Sequence, residues 1–398
     1  MWFRKRVYLD NAAGAGGNPS SPHKEGRRSR EILEGARTNI ARLLEVRADD
    51  VIFTSGATEA NALAILGTAR SRQMAVGSKK LHALYLPSAH ASVVENMHQL
   101  AEEGVEIEAL PIRDSRVDTN ALAKMLRDET VLVSMDAVCG ETGVVWNTRE
   151  VAEVIRNANA RRASLAPSGL IRMSQPVAAT STSGVRLHVD ASQAPLTEKI
   201  TRAHFRADML TFDGSKVGVR GIGTLVAHRT PSIGGSIEPL YRGGGQERGL
   251  RPGSEASELA QSFAAALHAA VTGRENFRVS AEKDRTELIA LITEFVTVQH
   301  LVLNINEGRV QAPNILNISL LGIDTDYLVA LLDEAGFAVS TRSACETDSE
   351  DGSRAVLALT GDVTRAKSTL RISWGPGIRS RDLVRFAEAL SRALAICR

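Results

Sequence analysis

Between residues 27 and 275 the chain alternates stretches whose apolar residues follow a helical period with short, unbroken apolar runs of strand length. That alternation predicts a parallel sheet covered by helices, because strands buried on both faces read as continuous apolar runs. A helix is expected over 27–45, with Ile32, Leu33, Ala36, Ile40, Leu43 and Leu44 on its apolar face. Strands are expected at 51–53, 82–86, 105–109, 130–135, 185–189, 208–212 and 223–228. The helices between the earlier strands fall from Ser55 to about Ala69 and over 91–103, 118–127 and 149–159. Two helical stretches, 255–276 and 280–297, then lead into a different pattern: a strand at 314–319, a helix at 325–336, a polar loop, a strand at 368–372 and a closing helix from 380.

The expected fold class is α/β, with a large domain over 7–258 and a smaller α+β domain over 259–398 whose first part packs with residues 1–25. Two domains also suit the length, since 398 residues exceed the roughly 250–300 at which single cores stop growing. Residues 160–184, rich in Ser, Ala, Thr and Arg and without an acidic residue, interrupt the alternation and read as a solvated insertion.

A net charge of +2 with 24% charged residues gives no support to nucleic-acid binding. No apolar run approaches the roughly 20 residues that span a bilayer, and the basic start Met1–Arg6 meets Val7-Tyr8-Leu9-Asp10 without a signal-like apolar segment. A cytoplasmic, membrane-free protein is expected. Cys139, Cys345 and Cys397 are too few and too scattered for a disulfide framework or a metal site. Cys139 lies in an apolar run and reads as a buried small hydrophobe, while Cys397 falls in a chain end expected to fray.

Chemistry-bearing residues gather at strand ends, where open α/β sheets bind ligands. Lys216 ends Asp213-Gly214-Ser215-Lys216 after an apolar strand. Desolvation there favours the neutral amine that forms an imine with a carbonyl, though most strand-end lysines are plain surface charges. Asp190, 26 residues upstream in His188-Val189-Asp190-Ala191-Ser192-Gln193, can hold a pyridine nitrogen protonated or simply cap a turn. Ser55-Gly56-Ala57-Thr58-Glu59-Ala60-Asn61 joins a strand to a helix, which suits either a phosphate or ordinary capping. His90 follows another strand and is either a ring-stacking proton carrier or a structural histidine.

Taken in order, these segments resemble the NifS-type cysteine desulfurases, class V enzymes of fold type I that use pyridoxal phosphate. The resemblance also draws on Gly17-Asn18-Pro19-Ser20, Glu141-Thr142-Gly143, Gly243-Gly244-Gly245-Gln246-Glu247-Arg248-Gly249-Leu250-Arg251, Ser343-Ala344-Cys345 and Arg371, and spans nearly the whole chain. It implies an enzyme that moves sulfur from L-cysteine to a persulfide on Cys345, leaves alanine, and passes the sulfur to an acceptor such as an iron–sulfur scaffold or a tRNA-thiolation pathway. Lys216 would form the imine to the cofactor, Asp190 would pair with its ring nitrogen, Gln193 would bond its ring oxygen, and His90 would stack on the ring. Ala57, Thr58 and Ser215 would hold the phosphate, with Ser254 reaching it from the partner subunit of a homodimer. Asn18 and Arg371 would clamp the substrate carboxylate, the guanidinium being suited to bidentate pairing. The length of the polar segment before Arg354 resembles the group with a long catalytic loop, one that lets the thiol of Cys345 travel.

Three departures from the family pattern stand out. Gly140 replaces an Asn that touches the cofactor, Asp213 and Ser215 replace Ser and His around the lysine, and the segment between Ala12 and Gly17 is short. Asp213 therefore counts as a cofactor-pocket residue of unusual charge. A selenocysteine lyase or aminotransferase on the same scaffold, and a non-catalytic sulfur-transfer scaffold, are the competing readings.

Overall fold

The structure, a computed structural model, describes residues 6–76, 80–165, 184–228, 237–295, 301–303, 310–341 and 352–397. Helix α1 (Lys24–Leu44) begins where His23 accepts from Gly26 N–H, and stops at Glu45, whose φ of 55° breaks the helical path. Leu33, Ala36, Ile40 and Leu44 are buried as expected, while Ile32 and Leu43 are only half-buried. Arg37 joins the buried face because Glu247 receives both of its terminal nitrogens, at 2.7 and 2.8 Å.

The alternation then runs β1 (Val51–Thr54), α2 (Ala57–Val76), β2 (His82–Tyr85), α3 (Ala91–Glu102) and β3 (Glu106–Ala109). A small hairpin, β4 (Ile112–Arg113) and β5 (Arg116–Val117), precedes α4 (Thr119–Met125), β6 (Thr130–Asp136) and α5 (Thr148–Leu165). The strands β7 (Arg186–Asp190), β8 (Met209–Asp213) and β9 (Gly223–Ala227) complete the sheet, with the short α6 (Arg202–Phe205) before β8. Helix α5 extends six residues beyond its expected end, into the stretch expected to be a solvated insertion; 166–183 lie outside the described residues.

The sheet order is β1-β9-β8-β7-β6-β2-β3. Strands β8, β7, β6, β2 and β3 are parallel, while β9 runs antiparallel between β8 and β1. The parallel strands β8, β7, β6 and β2 therefore present their carboxyl ends, including Asp136, Asp190 and Asp213, along one rim.

The two helices expected at 255–276 and 280–297 are one, α7 (Ser257–Phe295). Arg278 bridges the expected gap by pairing with Glu275 one turn before and Glu282 one turn after. Ala260, Phe263, Ala264 and Leu267 of this helix pack in the core of the large sheet, and Ala281, Leu288 and Ile292 in a second core. The second core lies against β10 (Leu301–Leu303), β11 (Ile315–Leu320), α8 (Thr325–Glu334) and, after the short α9 (Arg354–Thr360) and α10 (Val363–Lys367), β12 (Thr369–Ser373) and α11 (Ser380–Ile396). Its three strands are antiparallel, in the order β10-β11-β12. Cys397 is not frayed: it follows α11 and packs, half-buried, against this core.

No helix of the described residues is long and apolar enough to cross a membrane, and no group of three or more His, Cys, Asp or Glu among them could hold a metal ion.

Candidate active site

A cleft open to solvent lies at the strand ends and is lined by Ala57, His90, Asp190, Gln193, Asp213, Lys216 and Arg371 together. Seven of the twelve sequence-predicted residues thus line one cleft.

Asp190 ends β7 and is 6% exposed. Its Oδ2 accepts from Asn61 Nδ2 at 2.7 Å and its Oδ1 from the Ser192 backbone N–H at 2.9 Å. Both oxygens face N–H donors, so the group is held as an oriented acceptor. Beneath it His188 bridges three strands, to Ser134 Oγ at 2.8 Å and Thr211 Oγ1 at 3.0 Å. Burial pushes His188 down to about 4, so the ring is neutral.

His90 caps α3, its Nδ1 lying 2.8 Å from Ser92 Oγ, and it reaches the cleft from the end of β2. Lys216 rides on a single helical turn, 214–217, directly after β8. Asp213 caps this turn by accepting from Ser215 N–H at 2.8 Å. Gly214 is required there, since a Cβ would sit 2.5 Å from Val219 O. Lys216 stands exposed at the rim, so the desolvation expected at the strand end is not supplied by the protein's own packing.

Ala57 opens the 20-residue helix α2, with Thr58 exposed beside it. Glu59 turns back to accept from Ser55 N–H at 2.5 Å, and also from Tyr241 Oη at 2.6 Å and Arg251 Nε at 3.0 Å. Burial works to raise its carboxyl, but these donors outweigh it and hold Glu59 below the usual range. Ser215 is exposed next to Lys216. Asn18 and Ser254 do not line the cleft. Asn18 Nδ2 donates to Ala13 O at 3.0 Å and to Ser254 Oγ at 3.5 Å, and Ser254 lines a separate hollow with Ser55 and Gly221.

Cys345 lies outside the described residues, but both flanks of its segment meet the cleft. Ser340 pairs with Arg371 through two backbone hydrogen bonds, and Arg371 Nη1 donates to Gly140 O at 3.2 Å. On the far side Ser353 Oγ donates to the buried Glu141 at 2.6 Å, and Arg354 lines the cleft. Gly143 lets the Glu-Thr-Gly turn pass under β11: its φ is +78°, and a Cβ would lie 2.8 Å from Ile315 O.

Two of the substitutions that set the chain apart, Gly140 and Asp213, fit this geometry. A Cβ at Gly140 would lie 2.8 Å from Gln193 Nε2, so the Gln193 amide fills the space that a side chain there would take. Asp213 caps the lysine turn.

Several lining residues were not read from sequence: Asp136, Ser88, Ser192 and Arg354. Asp136 ends an apolar run as Asp190 does, which is the signal that could have found it. Cys139 is buried as expected, and burial pushes its thiol up to about 12, yet it too borders the cleft. The buried oxygens Ser88 Oγ, Ser192 Oγ and Asp136 Oδ1 have no hydrogen-bond partner among the described residues.

Residues 6–163 and 168–386 match the family model described as Aminotransferase class-V. A protein named cysteine desulfurase IscS 1 from Archaeoglobus fulgidus is 31% identical over 378 residues, covering 94% of this chain and 88% of that one. Among solved structures, one titled NifS-like protein aligns with a TM-score of 0.80 at 24% identity, over 96% of this chain and 92% of its own, a likeness of fold. Another, titled SspA in complex with cysteine, aligns with a TM-score of 0.70 at 25% identity, over 90% and 91%.

Proposed function

The chain belongs to the class-V aminotransferase family, and from that membership we propose that the cleft is the active site of a pyridoxal phosphate-dependent cysteine desulfurase. The observation that carries the reading is the convergence of Lys216, Asp190 and His90 on one cleft to which both flanks of the Cys345 segment are tied.

The residues present fit the cofactor. Asp190, with both oxygens fixed, offers a set acceptor for a protonated ring nitrogen, and Gln193 and His90 line the same cleft. The first N–H groups of α2 and the Thr58 and Ser215 hydroxyls suit a phosphate, to which a partner subunit's copy of Ser254 would add in a homodimer. When bound, pyridoxal phosphate supplies an electron sink for the substrate α-carbon.

The chain's own groups do the rest. Arg371, held by Gly140 O, takes the substrate carboxylate; Asn18, which does not line the cleft, is not placed to share it. Lys216 removes the α-proton and carries it, as its exposed position on a short turn permits. The Cys345 thiolate attacks the substrate sulfur: the S–S bond forms as the C–S bond breaks, and protonation at carbon leaves alanine. Cys345 lies four residues beyond Thr341, a tether of at most about 14 Å from the strand that carries Arg371. The persulfide then passes to a sulfur acceptor, an iron–sulfur scaffold or a tRNA-thiolation protein, in the cytoplasm.

Incubation with pyridoxal phosphate, cysteine and a reductant tests this reading. Alanine and sulfide in equal amounts are expected; a keto acid in place of alanine would indicate transamination and overturn it.

A further inference from the structure

The deep end of the cleft holds a carboxyl group that the roles above leave unused. Asp136 closes β6 directly across from Asp190 in the β6–β7 register, is 4% exposed and lines the cleft. Its Oδ1 is buried without a partner, while its carboxyl receives the backbone N–H of His90. The charged and titratable groups around it are Asp190 from β7, Arg354 from α9, the His90 ring after β2, Cys139 and Glu141 on its own segment, and Lys216 and Asp213 after β8.

Two carboxyl groups on neighbouring strand ends in a buried site do not ionise together, because like charges at that range keep a proton on one of them. The donors decide which. Asp190 accepts N–H hydrogen bonds on both oxygens, the arrangement of an anion, whereas Asp136 keeps a bare oxygen in a buried position, the arrangement of an acid whose O–H is free to donate. Burial first, and then the Asp190 charge, push Asp136 well above the usual carboxylate range.

We propose that Asp136 is a positioning residue of the cofactor pocket, a neutral carboxyl whose O–H points into the cleft beside the anionic Asp190. The pair presents a single negative charge at that end of the cleft, with a neutral O–H beside it. Ionisation of Asp136 removes that donor and sets a second negative charge beside the first. The proposal rests on the cofactor assignment above.

Two measurements on the full-length protein test it. Infrared spectra of the cofactor-free protein at neutral pH should show a protonated-carboxyl C=O band in wild type that D136N lacks; loss of no such band overturns the proposal. Pyridoxal phosphate titrations, followed by visible absorption from neutral to alkaline pH, should show the ratio of wild-type to D136N affinity changing, by up to about tenfold per pH unit, above the point where Asp136 ionises. A ratio that stays constant with pH overturns it as well. Should D136N not fold, D136A, which removes the carboxyl without adding bulk, takes its place in both measurements. If neither protein binds pyridoxal phosphate, the cofactor reading fails, and the infrared result still decides the protonation of Asp136.

Discussion

Replacing Asn61 by alanine tests whether Asp190 is a pre-set anion. Asn61 is fully buried on α2, and its amide nitrogen donates to Asp190 Oδ2 at 2.7 Å and to Ser92 Oγ at 2.8 Å. The bond to the carboxylate is worth about 1.5–3 kcal/mol and the bond to the hydroxyl about 0.5–1.5 kcal/mol. Asn61→Ala should therefore destabilise the cofactor-free protein by about 2–4.5 kcal/mol, read as a lower urea midpoint. If orientation of Asp190 draws on the first bond when the ring nitrogen pairs with it, cofactor affinity falls by about 10- to 150-fold, at 1.4 kcal/mol per decade. Visible-absorption titration with pyridoxal phosphate measures that fall. A variant that loses the stability but binds the cofactor as tightly as wild type would refute the link from Asn61 through Asp190 to the ring.

Two further outcomes follow from neighbouring residues. Gly140→Asn should displace the Gln193 amide, whose Nε2 stands 2.8 Å from the new Cβ, and weaken cofactor binding by roughly one neutral hydrogen bond, about 0.5–1.5 kcal/mol; tighter binding in the same titration would contradict the placement of Gln193. His188 has its folded value lowered from 6.5 to about 4, so below 6.5 the unfolded chain takes up a proton that the folded protein does not. Stability should then fall as the pH drops below 6.5, and urea midpoints for His188→Asn should lack that part of the slope.

The parallel sheet was legible because β6 and β8 are apolar-rich runs buried on both faces, and a run of that kind has few other homes. The reversed direction of β9 was not, since Gly223–Ala227 reads alike in either sense and only its pairing with β1 and β8 sets it. The continuity of α7 turned on Arg278 finding glutamates on both sides, a surface effect that apolar periodicity does not register. In the site, Lys216, Asp190 and His90 each follow a strand and carry distinctive chemistry, so position along the chain was enough to single them out. Asp136 and Asn61 act through register and through packing of α2 on the sheet, which appear only once the strands are laid side by side. Arg354 stands in the cleft because Ser353 is tied to Glu141, a contact between residues 212 apart in sequence.

The central claim is that Lys216 and Cys345 act on one substrate molecule. Mass spectrometry of the Cys345 peptide, after a single turnover with cysteine in the absence of reductant, tests it most directly. The account predicts one added sulfur on that peptide in wild type and none in Lys216→Ala. Alanine formed while Cys345 stays unmodified, or the added sulfur found on Cys139 or Cys397 instead, would contradict it.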